Sequence, residues 1–173
     1  AHRAWLQLWQ SVIPEYIDWQ IQRESTWQVS QSEVKSEHEL KPSIKIKGRL
    51  DRIDCNDKGL AIVDYKTGSA ASKNDVEKGE AVQLPFYALL SKADKKTVAR
   101  VEYLKLDRPG NVGTGAALEG EQLDEMLELT EQRLIEIMQQ IQEGQALPAW
   151  ADEKSCNWCD MQTLCRRQVW EDR

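Results

Sequence analysis

Two aspartates and a lysine in the middle of the sequence have the types and spacing of a metal-assisted hydrolytic site. Residues 60–66 read Leu-Ala-Ile-Val-Asp-Tyr-Lys, and alternation along a strand directs Asp64 and Lys66 to one face. The preceding strand carries Asp51 and Asp54, and a hairpin would bring both strands together. Two carboxylates can hold a hard cation such as Mg²⁺, and a lysine beside it can orient or deprotonate the attacking water. The same lysine can neutralise charge that develops on a phosphate, so the pattern predicts phosphodiester hydrolysis.

The same residues also fit a structural interpretation. The triplet Asp64-Tyr65-Lys66 could form a simple ion pair at a strand end. Alternation directs Asp51 and Asp54 to opposite faces unless a bulge intervenes, so only one of them should reach a metal. Strict alternation places Asp51 on the face opposite Ile44 and Ile46. That face also carries a row of cations, Lys45, Lys47 and Arg49. This cationic row could bind a phosphate backbone, or it could simply be a solvated surface.

The elements that must position these residues follow from the spacing of apolar side chains. The first predicted elements are a helix over about 5–23, with a break or new first turn at Pro14, and strands over about 26–34, 44–51 and 60–66, with a hairpin turn at 56–59. A loop over 67–74, a helix over about 75–92 and a strand over 97–106 follow. The last predicted elements are a mobile glycine-rich segment over 108–120 and a helix over about 121–143. This order predicts one α/β domain around a small mixed sheet flanked by helices.

Length and composition allow a globular enzyme and exclude several other classes. The chain has 173 residues, of which 40% are hydrophobic and 30% are charged. These values fit one domain that is neither disordered nor membrane-spanning. We expect the protein to be located in the cytoplasm. The net charge of −6 argues against a uniformly basic DNA-binding surface. Any contact with DNA should therefore come from a local patch, a metal or a neighbouring domain. Because the first helical pattern starts abruptly, we expect the chain to be part of a longer protein.

Three of the four cysteines lie close together in the tail, residues 145–173. Cys156, Cys159 and Cys165 form a C-x2-C-x5-C arrangement, and in a reducing compartment this spacing favours zinc or iron–sulfur ligation. The alternative is three free thiols on a packed terminal helix. Cys55 is the remaining candidate for a fourth ligand, although a small buried or turn residue is the simpler interpretation.

The motifs GRLDRID, IVDYKTG and QLPFY, in this order, resemble the PD-(D/E)XK nuclease superfamily and, within it, the RecB/AddB-type branch. The resemblance implies a restriction-endonuclease-like core. It also implies that Asp51, Asp64 and the main-chain carbonyl of Tyr65 bind Mg²⁺ or Mn²⁺, and that Lys66 is the catalytic lysine.

The resemblance assigns roles to two helical residues and leaves one position open. Gln83 and Tyr87, one helical turn apart, are expected near the scissile phosphate or the DNA backbone; their structural interpretation is a capping amide and a core tyrosine. RecB-like nucleases usually add a His or Glu from a helix ahead of the sheet. The candidates here are weak: His2, His38 in a polar connection, Glu15 and Glu24.

The cysteine tail resembles the iron–sulfur staple of AddB-type nucleases, whose fourth cysteine lies upstream of the nuclease core. This sequence has no such upstream cysteine, so we expect a [4Fe–4S] cluster in the full-length protein and an incomplete or absent one here.

By this resemblance the chain is expected to be a metal-dependent DNA nuclease, acting as an exonuclease in recombination or repair with a helicase subunit or domain. Two alternatives remain open. One is a nuclease fold that no longer cuts and serves DNA binding or complex assembly. The more distant one is a cluster- or zinc-binding interaction domain in which the aspartates are structural.

Overall fold

The computed structural model describes residues 2–92, 97–146, 151 and 156–165. The chain forms two compact units, residues 1–136 and 137–173. The first unit contains the sheet and the predicted hydrolytic site, and the second contains the three tail cysteines. No helix within the described ranges combines the length and the apolar character that a membrane span requires.

The helices and strands are, in chain order, α1 His2–Glu24, β1 Gln28–Lys41, β2 Ile44–Asn56, β3 Gly59–Lys66, α2 Lys73–Glu77, α3 Gln83–Ser91, β4 Val98–Lys105, β5 Gly113–Glu119, α4 Gly120–Gln142 and α5 Gln162–Cys165. Helix α4 begins in the first unit and ends in the second.

Within the described residues the strands form one mixed sheet in the order β1-β2-β3-β4-β5. The pair β3–β4 is parallel and the other neighbouring pairs are antiparallel. A parallel pair needs a crossover, and α2 and α3 provide it. The predicted α/β class, with a small mixed sheet flanked by helices, is confirmed.

The hairpin that brings the aspartates together also forms as predicted. Strand β2 ends at Asn56 and β3 begins at Gly59, where a Cβ atom would lie 2.3 Å from the carbonyl oxygen of Thr97. Gly59 has φ +139°, a conformation that side-chain-bearing residues rarely adopt. The Asn56 side chain accepts a hydrogen bond from the Lys58 N–H and closes the turn.

Four predicted elements differ from the structure. Helix α1 is continuous through Pro14, because Val12 before it is buried and Tyr16 after it packs against the sheet. Strand β1 extends to Lys41, so His38 lies in a strand and not in a polar connection. Packing and ladder hydrogen bonds outweigh local propensity in both places.

The other two differences arise at glycines. The helix predicted over 75–92 is two helices, because Gly79 has φ +71° and ends the first of them. The segment predicted to be mobile contains β5, which pairs with β4. A Cβ atom at Gly115 would lie 3.0 Å from the Lys105 side chain, so this glycine permits close approach of the two strands.

The two faces of the sheet are built differently. The face towards α3 holds the main apolar core, which includes Leu60 and Ile62 of β3. The face towards α1 holds a smaller cluster around Val63, Leu104 and Leu106. The predicted alternation along β3 is therefore confirmed.

A buried ionic network on the second face fixes α1 to the sheet. Arg23 donates to Asp54 of β2 and to Glu102 of β4, both at 2.5 Å. Arg52 donates to the other Asp54 oxygen at 2.6 Å, and Arg100 donates to Glu102 at 3.1 Å. Asp54 and Glu102 are fully buried, so each carboxylate needs these partners to offset its lost hydration.

Replacing Arg23 with Met should therefore lower the free energy of unfolding by about 3 kcal/mol, because two buried carboxylates lose a shared cation. Urea denaturation measures this. Arg49→Met is the matched control: Arg49 forms an exposed pair with Glu33, so its loss should cost less than about 1 kcal/mol. Equal stability of Arg23→Met and wild type would contradict the role assigned to this network.

Candidate active site

The carboxyl end of β3 presents a carboxylate and an ammonium group on one face of the sheet. Lys66 Nζ lies 2.6 Å from Asp64 Oδ2. Asp64 is buried, whereas a quarter of the Lys66 side chain, 24%, is exposed. The predicted projection of both groups to one face is confirmed. They form the ion pair of the structural interpretation, and this pair opens to solvent on the lysine side.

Asp51 reaches the same place from β2. The pairing of β2 with β3 ends at Arg52 and Val63, and Asp51 and Asp64 are the next residues of the two strands. Asp51 Oδ2 accepts a hydrogen bond of 3.0 Å from the N–H of Tyr65. The Tyr65 N–H therefore donates to the Asp51 side chain instead of to a backbone carbonyl, and this holds the Asp51 carboxylate near Asp64.

Strict alternation along β2 fails at this point. Ile46, Leu50 and Ile53 all belong to the main core, although alternation would send Ile53 to the other face. The change of facing falls between Leu50 and Ile53, the stretch of β2 that contains Asp51. Asp54 beyond it contacts Arg23 and Arg52. Only one of the two candidate aspartates therefore lies beside Asp64, in agreement with the motif.

Gln83 connects the charged groups. Its amide nitrogen donates to Asp64 Oδ1 at 3.0 Å and to the Tyr87 hydroxyl at 2.9 Å. Its amide oxygen accepts from Lys66 Nζ at 2.8 Å. Gln83 and Tyr87 are one turn apart at the start of α3, so one helix presents both. The structure thus brings both residues to the carboxylate–lysine pair, and Gln83 makes no helix-capping hydrogen bond.

Tyr103 of β4 completes this group, and the sequence analysis missed it. It pairs in register with Asp64, and its hydroxyl donates to Gln83 Oε1 at 3.5 Å. Lys66 Nζ lies 5.1 Å from the centre of its ring, within range of a cation–π contact. Burial, together with the negative charge of Asp64, raises the pKa of Tyr103 to about 12. A buried tyrosine needs a partner for its hydroxyl, but nothing in the sequence indicates which one.

The surroundings of the Asp64 carboxylate disfavour its negative charge. Burial raises the pKa of Asp64, and the nearby Asp51 charge adds to this, while Lys66 opposes it. Its Oδ2 is buried, and the charged group beside it is Lys66 Nζ, 2.6 Å away. A buried carboxylate oxygen in that state fits a divalent cation, and Mg²⁺ commonly uses one or two carboxylates plus water and substrate oxygens.

No third acidic, histidine or cysteine ligand joins this pair in the described part of the chain. Glu15 of α1 instead accepts two hydrogen bonds from the N–H of Gly110, and Glu24 accepts one from Gln20. His38 pairs with Ile46 along β1. The side chain of His2 lies outside the described residues. The helical His or Glu of RecB-like nucleases therefore has no counterpart among Glu15, Glu24 and His38.

The cationic row on β2 is a solvated face. Lys45 and Lys47 lie near Glu37 of β1, and Arg49 pairs with Glu33. All three cations are more than half exposed and already have acidic neighbours. This favours the solvated-surface interpretation over a phosphate-binding row.

The tail cysteines form no disulfide in this structure. Cys156 and Cys165 are half-buried and Cys159 is exposed. Among the residues described, they do not form a group able to hold a metal. Cys55 is half-buried and packs against the main core.

A family model described as the PD-(D/E)XK nuclease superfamily matches residues 1–166, nearly the whole chain. The chain belongs to the PD-(D/E)XK nuclease superfamily. The mixed sheet flanked by helices agrees with the restriction-endonuclease-like fold of this superfamily. No curated protein sequence matches the chain. Membership assigns it to the nucleases and implies a DNA substrate, and superfamily members typically use divalent metals.

The raised pKa of Asp64 has a consequence for stability in metal-free buffer. An acid whose folded pKa lies above its ordinary value of 3.8 destabilises the fold as pH rises through the folded pKa. Asp64→Asn should therefore be more stable than wild type at about pH 7, and the difference should shrink towards about pH 4.

Urea denaturation across this pH range in EDTA measures the difference. Asp57→Asn, in the exposed hairpin turn, is the control and should follow wild type at every pH. A stability difference that grows as pH falls would show that the sign assigned to Asp64 is wrong.

Proposed function

We propose that this chain hydrolyses phosphodiester bonds in DNA with Mg²⁺ or Mn²⁺, using Asp51, Asp64 and Lys66. The observation that carries the proposal is the convergence of these residues at the ends of two strands. There a partly exposed ammonium lies 2.6 Å from the buried Asp64 carboxylate, and Asp51 accepts a hydrogen bond from the N–H of the next residue, Tyr65. A purely structural ion pair would not need the second carboxylate.

Each residue has a distinct role in this proposal. Asp51 and Asp64 would hold the cation, with the carbonyl of Tyr65 as the further ligand that the motif predicts. A bound cation supplies Lewis acidity towards a phosphate oxygen and a water of lowered pKa. Lys66 neutralises negative charge on the phosphate and orients the attacking water.

Gln83 holds Lys66 and Asp64 at a fixed separation, because its amide bonds to both. Its donors and its acceptor are all occupied by protein groups. We therefore assign Gln83 the role of positioning Lys66 and Asp64. The motif alone would instead suggest that Gln83 contacts the scissile phosphate or the DNA backbone. Tyr87 supports it through the hydrogen bond to the amide nitrogen.

We further propose that the nuclease is of the RecB/AddB type and acts as an exonuclease with a helicase subunit or domain in cytoplasmic DNA recombination or repair. The motifs GRLDRID, IVDYKTG and QLPFY and the spacing of Cys156, Cys159 and Cys165 support this. A [4Fe–4S] cluster held by these cysteines belongs to the same proposal.

A second candidate function is a nuclease fold that binds DNA or assembles a complex without cutting. One observation favours it: the candidate acids and histidine of α1 and β1 lie away from Asp64 in the described structure. The intact Asp64–Lys66 pair favours cleavage.

Cleavage of linear single- and double-stranded DNA with Mg²⁺ or Mn²⁺ separates the two functions. Asp64→Ala and Lys66→Ala should each lower the cleavage rate by at least about 100-fold, because each removes charge stabilisation at the phosphate. Lys58→Ala is the matched control: Lys58 is exposed in the hairpin turn at the opposite end of β3 from Lys66, so this variant should cut normally.

Two outcomes would contradict the catalytic proposal. Wild type that leaves both DNAs intact would favour the non-cutting module. Equal cutting by wild type and both alanine variants would place the activity elsewhere.

Metal binding can be measured without DNA. Mg²⁺ at about 100 times its dissociation constant should stabilise wild type by about 2.7 kcal/mol, seen as a rise in Tm. Asp51→Asn and Asp64→Asn should abolish the rise, because each removes a ligand charge, while Asp57→Asn should keep it. A full rise in both ligand variants would exclude this cation site.

A further inference from the structure

We infer that a groove on the α1 side of the sheet binds an unpaired nucleobase of the DNA that the candidate site acts on. The groove, called here the tryptophan groove, is lined by Trp5, Leu8, Trp9, Val12, Thr67 and Leu106. The inference rests on the proposed function for its ligand, but it concerns binding and not cleavage.

The groove begins close to the candidate active site along the chain. Thr67 follows Lys66 directly, and the N–H of Leu106 donates to the Lys66 carbonyl at 2.7 Å. Consecutive Cα atoms are about 3.8 Å apart, so the groove begins one residue from the catalytic lysine. The groove and the candidate site lie on opposite faces of the same strand ends. The inference therefore requires a DNA strand that crosses these strand ends, with a phosphate at Lys66 on one face and a base in the groove on the other.

The lining suits a flat, apolar ligand. The ring centres of Trp5 and Trp9 lie 5.7 Å apart and the ring planes are inclined at 68°. The two rings therefore meet edge to face and are not stacked on each other. Trp9 also packs against the cluster around Leu104 and Leu106, which fixes its position. Trp5 is 57% exposed and has an accessible indole face. Bases stack on such faces without regard to sequence.

The charge of the protein favours this mode of binding. The net charge of −6 argues against a uniformly basic surface for the DNA backbone, which leaves contacts with the bases as a further source of affinity. Stacking supplies affinity that releases no counterions and so depends little on salt. An apolar peptide is the competing occupant, but the groove lies at the strand edge where the phosphate is proposed to bind.

The variant Trp5→Ala tests the inference, because an exposed side chain can be removed without unfolding the protein. Binding of a labelled single-stranded oligonucleotide is measured by fluorescence anisotropy in Ca²⁺, with a gel to verify that the DNA stays intact. The Kd should rise about tenfold in Trp5→Ala, a typical cost of losing one stacked base. The slope of log Kd against log salt should not change.

Two controls sharpen the result. Leu6→Ala removes an equally exposed apolar residue, 54%, that does not line the groove, and its Kd should equal that of wild type. Trp9→Phe keeps an aromatic wall and should bind more tightly than Trp9→Ala.

An abasic site moved along the oligonucleotide identifies the base itself. At one position it should weaken binding to wild type about tenfold and leave binding to Trp5→Ala unchanged, because that variant has already lost the stacking contact.

An unchanged Kd in Trp5→Ala, a changed salt slope or no DNA binding by wild type would each overturn the inference. Wild type that binds in this pattern but does not cut with Mg²⁺ would contradict the proposed hydrolysis and leave the base-binding groove standing.

Discussion

The organisation of the first unit follows from one constraint, a charged carboxylate buried at the end of a central strand. Asp64 is almost inaccessible to solvent, and burial works against its ionised form. The strand itself offers no compensation, because its neighbours Ile62 and Val63 are fully buried apolar residues. The charge is tolerated because Lys66 lies 2.6 Å away and Gln83 donates to the other oxygen. This arrangement requires a lysine two residues after Asp64 and a helix, α3, whose first residue is Gln83 and which packs near the end of β3.

The sheet separates two ionic systems, and Tyr65 belongs to both. Its N–H donates to Asp51 on the side of the candidate site. Its hydroxyl accepts from Arg52 on the other side and lies 3.4 Å from the hydroxyl of Tyr16 in α1. Because Arg52 also binds Asp54, the packing of α1 is coupled to the strand position that carries Asp51. A change in α1 would therefore alter the candidate site through the backbone of β3, without a helix residue contacting a ligand.

The parts of this structure set by short-range pattern could be predicted from the sequence. Alternation located β3 and the common face of Asp64 and Lys66, and the Asn56–Gly59 turn fixed the hairpin. The parts set by tertiary contact could not. Gly115 looks like a loop residue until β4 is known to lie beside it, and Tyr103 becomes part of the site only through the parallel register of β3 and β4.

The choice between Asp51 and Asp54 shows the same limit. Alternation correctly separated their directions, but it could not show where the facing of β2 changes. The motif favoured Asp51, and the geometry agrees, because Asp54 is enclosed by Arg23 and Arg52. A carboxylate already surrounded by two buried guanidinium groups has little affinity left for a cation, whereas Asp51 has only one backbone partner among the described residues.

This difference explains how an acidic protein could accept a phosphodiester. Asp51, Asp64 and Lys66 together carry one net negative charge, which repels a phosphate. A divalent cation held by the two carboxylates would reverse that sign, and an approaching phosphodiester would then bring the local charge back to zero. The ammonium of Lys66 cannot achieve this alone, since Asp64 neutralises it at 2.6 Å. Coulomb energies at such separations are large at the edge of a protein interior, so local charge, and not the net −6, governs whether the substrate can enter.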